Sequence, residues 1–128
     1  MTDLPATNTT MLSQVKADGT LELYLAALPM PQPKDHEVLV KVLATPINPS
    51  DLGLMVGAAD AASARAIERD GLPGVAMQVS EPGMRFMASR VGQALPIGNE
   101  GCGVVVAAGA SEAAQALMGK TVALVGGE

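Results

Sequence analysis

Turn-forming residues recur along the whole of this chain, and the apolar stretches between them are short. Pro29-Met30-Pro31-Gln32-Pro33 is the sharpest instance: three of its five residues lack an amide proton, so it can be neither a central strand nor a helix interior. Such punctuation admits short strands joined by turns, with brief helices. Glu37 to Ala44 reads most clearly as a strand, with Val38, Val40 and Val42 on one face and Leu39 and Leu43 flanking Lys41 on the other. Met11 to Lys16 and Thr20 to Ala26 read as a pair around Ala17-Asp18-Gly19, because Asp-Gly is a hairpin signal. Leu21, Leu23 and Leu25 keep the period of two expected of a half-buried strand. Further strands are expected at Val104 to Ala108 and Thr121 to Val125.

Between these lie the less regular parts. The polar residues 1–10 read as a disordered lead-in. Pro49 suits a first helical position with Asn48 as N-cap, which predicts a short helix to Met55 ending at Gly57. Ala58 to Arg69 is alanine-rich, with Arg65, Glu68 and Arg69 spaced as on a solvated helix that Gly71 ends. Leu72 to Gln93 lacks periodicity, carries Pro73, Gly74, Pro82 and Gly83, and reads as an irregular excursion. Ser111 is placed to cap a brief helix through Leu117. The whole describes a mostly β, barrel-like domain.

Composition narrows the function classes. The 128 residues suit one domain. The chain has no Trp, one Phe and one Tyr, so Val, Leu, Met and Ala must fill the interior. The net charge of -5, with no Lys/Arg cluster, gives a phosphate backbone nothing to bind, and nucleic acid is not an expected partner. No apolar stretch is long enough to span a bilayer as a helix, and residues 1–10 have neither the basic nor the apolar region of a signal peptide; a cytoplasmic protein is the expectation. Cys102, the single cysteine, excludes an internal disulfide and a multi-cysteine zinc lobe.

Four blocks carry a family resemblance by their order: Glu37-Val38-Leu39-Val40-Lys41-Val42, then Ile47-Asn48-Pro49-Ser50-Asp51, then Pro96-Ile97-Gly98-Asn99-Glu100-Gly101-Cys102-Gly103-Val104-Val105, then Gly119-Lys120-Thr121-Val122-Ala123. The set resembles the GroES-like catalytic domain of medium-chain dehydrogenase/reductases (the alcohol dehydrogenase-like superfamily), and within it the quinone-oxidoreductase-like branch. The resemblance spans residues 11–125 and fits poorly in the middle. It implies a partly open GroES-like β-barrel with short helices over residues 11–128, and an oxidoreductase using NADPH or NADH on a quinone, enone or related carbonyl compound. Zinc relatives hold their metal through a cysteine in the second block and a histidine in the third. Asn48 and Asn99 stand at those positions, and an amide is a poor zinc ligand. No zinc is therefore expected.

Asn48 has two readings: a helix N-cap, or an amide that contacts the substrate carbonyl or the nicotinamide. Asp51 divides in the same way, between a first-turn acid and a wall of the site. Some relatives place a tyrosine soon after this block; Gly57-Ala58-Ala59 offers none here. Asn99 and Glu100 read either as a structural turn or as the lining of a cofactor cleft. Cys102 reads as a small core residue ahead of a nucleophile, with no histidine near it in sequence.

The segment Gly98 to Gly103 has the spacing G-x-x-G-x-G and opens a strand, whereas the dinucleotide fingerprint is G-x-G-x-x-G opening a helix. No Rossmann domain is read in this chain, so no cofactor is expected bound to it and the chain is expected to be a catalytic-domain fragment, inactive alone. The competing reading is a stand-alone, non-catalytic β-barrel module for binding or assembly. Either way, uncovered strand edges predict a homo-oligomer, with Thr121 to Val125 or Val104 to Ala108 at the contact.

Overall fold

The computed structural model describes residues 3–126, and the protein is mostly β. Its strands form two antiparallel sheets that do not close into a barrel. They belong to two compact units, one built from residues 9–28 and 47–97, the other from residues 29–46 and 98–126 with the segment up to Asn8.

In the first unit the sheet runs β4-β5-β2-β1-β6. Strand β1 (Thr7–Val15) and β2 (Thr20–Pro29) are neighbours joined at the expected Asp-Gly turn. Gly19 takes a positive φ of 86°, and the Asp18 carboxylate accepts from the Thr20 N–H at 3.1 Å and its hydroxyl at 2.6 Å. Those hydrogen bonds favour the charged carboxylate and hold it below the ordinary aspartate range. Leu21 is fully buried and packs with Val15, Met77, Val79 and Met87, with Leu23 against the same cluster. Methionine supplies the volume that aromatic rings usually fill. The other side of β2 is polar: Arg69 lies 3.7 Å from the Tyr24 ring centroid and reaches Glu22 at 3.0 Å and Gln14 at 3.2 Å.

Three expectations fail in this unit and at its edge. Residues 7–10 are part of β1 and not a disordered lead-in; Met1 and Thr2 lie outside the described residues. Ala58 to Arg69 is not a helix: Ala59–Arg69 is strand β4, paired with β5 (Leu72–Val79). The reason is the turn between them. Asp70 and Gly71 have φ of 50° and 79°, and Arg69 pairs with Leu72, the two-residue hairpin for which Asp-Gly with positive φ at both positions is suited. Alanine's helix propensity is worth tenths of a kcal/mol per residue, and the pairing of Arg65–Arg69 with Leu72–Ala76 outweighs it. The register slips between Asp60 and Arg65, where Ser63 Oγ accepts the Gln78 N–H at 2.7 Å. Leu72 to Gln93, expected to be irregular, holds β5, helix α2 (Glu81–Phe86) and a 3-10 turn (Ala88–Arg90). Ser80 caps α2 by accepting from the Gly83 N–H at 3.2 Å, and Pro82 sits in its first turn, where a missing N–H costs nothing. Strand β6 (Ala94–Pro96) pairs with β1.

In the second unit β7 (Glu100–Ala108) is the middle strand, between β3 (Val38–Ala44) and β8 (Thr121–Val125). The expected strands are present, and β7 begins at Glu100, earlier than its valine run suggested. Ser111 caps α3 (Glu112–Gln115) by accepting from the Ala114 N–H at 3.2 Å. Val105 and Ala114 are the buried apolar residues here, while Val42, Leu43 and Val125 are exposed. No helix among the described residues is long and apolar enough to cross a membrane, which says nothing of a β-barrel.

Candidate functional site

Helix α1 (Pro49–Met55) begins as the sequence predicts, with Asn48 as N-cap in extended conformation and Pro49 at the first position. Asp51 Oδ2 accepts the Asn48 backbone N–H at 2.7 Å, the returning half of a capping box. The structure thus brings Asn48 and Asp51 together. Asp51 is buried at 4% exposure, and its Oδ1 has no hydrogen-bond partner.

The other end of α1 is held by residues distant in sequence. Helix termini leave carbonyls without internal partners, and here Arg90 and Ser13 take them. The Arg90 guanidinium donates to the Leu54 carbonyl at 2.7 Å and the Gly53 carbonyl at 3.4 Å, and Ser13 Oγ donates to the Met55 carbonyl at 3.1 Å. Arg90 also donates to Ser13 Oγ at 3.1 Å. A cation at a helix C-terminus suits the macrodipole. Burial lowers the guanidinium's pKa without removing its charge. Beyond the helix Gly57 adopts φ 53°, with the Met87 sulfur and Arg90 where a side chain would extend. Neither Ser13 nor Arg90 carries a local signal; they lie 77 positions apart.

Asn99 and Glu100 belong to the other unit and are exposed. The Asn99 carbonyl accepts the Gly126 N–H at 2.6 Å, and Glu100 opens β7 opposite Val125. Next to them is an open groove of about 470 Å³ walled by Ala44, Pro46, Leu124 and Val125, with the half-buried Cys102 among its lining. Among the described residues Glu100 is the one charged residue lining it. Most of its wall is apolar. Among the described residues no three His, Cys, Asp or Glu gather as a metal-binding group.

No protein family matches this sequence, and no curated protein matches it.

Proposed function

We propose that this chain is the GroES-like catalytic-domain portion of a cytoplasmic, zinc-independent, NAD(P)H-dependent oxidoreductase acting on a quinone, enone or related carbonyl compound. One observation supports it above others. Three of the four sequence blocks that carry the resemblance contribute Val38–Val42, Glu100–Val105 and Thr121–Ala123 to β3, β7 and β8, which are adjacent strands of one sheet. The fourth is an ordered helix start in which Asp51 fixes the Asn48 backbone. In this reading Asn48 contacts the substrate carbonyl or the nicotinamide, Asp51 positions it, and Asn99 and Glu100 line the cofactor cleft. The cofactor supplies a hydride when bound. In this reading a separate nucleotide-binding domain holds the cofactor's phosphates.

The alternative, a non-catalytic binding module, is favoured by the apolar surface on the β3-β7-β8 unit, where Leu43 is 63% and Val125 86% exposed. The two separate in one assay, run on residues 1–128 and on the protein encoded by the whole reading frame. The oxidoreductase reading expects NADPH- or NADH-dependent quinone reduction by the whole protein, retained after zinc removal, and none by residues 1–128 alone. A zinc-dependent activity, turnover by residues 1–128, or an inert whole protein defeats it.

A further inference from the structure

Among the described residues the two sheets present four edge strands, β4 and β6 in one and β3 and β8 in the other. Exposed edges recruit other strands unless charge, proline, bulges or brevity blunt them. Strand β4 carries Asp60, Arg65, Glu68 and Arg69 and a register break. Strand β6 has three residues and ends in Pro96. Strand β3 presents an exposed Lys41 and is irregular between Leu39 and Val40 and again between Val42 and Ala44. Strand β8 has none of these devices: Thr121-Val122-Ala123-Leu124-Val125 is uncharged, free of proline, and in unbroken register with β7.

We propose that β8 is a pairing surface for a second copy of this chain, joined antiparallel about a two-fold axis at Ala123. The register follows from the backbone. The Lys120 carbonyl accepts from the Val105 N–H at 3.0 Å and the Gly126 N–H donates to the Asn99 carbonyl, so Val122 and Leu124, in the same phase between them, turn their backbone groups toward β7. Because adjacent residues alternate, Thr121, Ala123 and Val125 turn theirs to the open edge. Two such edges satisfy all of these groups in one antiparallel register: Ala123 opposite Ala123 of the second copy, and Thr121 opposite its Val125. The pairs are two alanines on the axis and β-branched residues on either side, with no like charges opposed. This proposal does not rest on the enzymatic reading.

Ala123→Pro removes the N–H at the axis without touching a bond to β7, because that N–H faces outward. Ala123→Lys sets two like charges face to face on the axis. Sedimentation velocity over a range of concentrations is expected to show a wild-type dimer. Each variant is expected to remain folded by circular dichroism and to associate roughly tenfold to a hundredfold more weakly, the loss of two hydrogen bonds in the proline variant. Added salt is expected to restore association of the lysine variant in part and not that of the proline variant. Should one variant fail to fold, the other decides. A wild-type chain that stays monomeric, or a dimer that a folded variant leaves intact, overturns the proposal.

Discussion

Gly103→Ala is expected to destabilise the protein by about 3 kcal/mol, the upper end of what forcing extra volume into a packed site costs. Gly103 is buried in the middle strand of its sheet, with Val42 on one side and Val122 on the other. A β-carbon there would run into the Lys41 backbone carbonyl and stand 2.8 Å from Val40 Cγ1. Backbone cannot swing aside as the end of a side chain can, so β3 and β7 would have to part. Unfolding in denaturant checks the loss of stability, and thermal unfolding should show a fall in melting temperature of roughly 10 °C or more for a domain of this size. The control is Gly53→Ala. Gly53 lies in α1 with nothing within 4 Å of an added β-carbon. It should be neutral or stabilising by about 0.5–1 kcal/mol, since alanine costs less backbone entropy in a helix. Equal effects at the two sites would show that the close approach of β3 over β7 is absent in solution.

Arg90→Ala is expected to cost roughly 2–3 kcal/mol, the range for hydrogen bonds to a charged group. It removes the donors to the Gly53 and Leu54 carbonyls and to Ser13 Oγ at once. Arg90→Lys keeps the charge but not the planar fork that serves these acceptors together, so it should recover only part of the loss. Arg85 supplies the comparison. It pairs with Glu81 at 2.7 Å on the surface, and its replacement by alanine should cost no more than about 0.5 kcal/mol. Amide exchange should localise the difference. In the Arg90 variant the amides of α1 should exchange faster, loosening the helix that carries Asn48 and Asp51, while β7 keeps its protection. A uniform change across the chain would mean that Arg90 does not act through α1.

Where a feature depended on neighbours a few positions apart, the sequence alone determined it. The Asp18-Gly19 turn, Asn48 and Ser111 as caps, Pro49 at a helix start and the strands β3 and β8 all rest on such short-range chemistry. The Asp70-Gly71 turn was legible on the same terms, but alanine content and the spacing of Arg65, Glu68 and Arg69 pointed to a helix. Those weak preferences are overridden by the pairing of β4 with β5, whose partners run from Ala59↔Val79 to Arg69↔Leu72. Ser80-Glu81-Pro82 was in plain view too, but a proline that breaks a helix interior is at home in a first turn.

The candidate site divides in the same way. Asn48 and Asp51 meet because they are three residues apart at a helix start. The tertiary structure alone brings Ser13 and Arg90 to the far end of that helix, assembles the groove from β3, β7 and β8, and makes Gly103 a position where a methyl group cannot go. It also leaves β8 with Thr121, Ala123 and Val125 turned outward. Those contacts join residues dozens of positions apart, and no local preference encodes a contact whose other half lies on a distant strand.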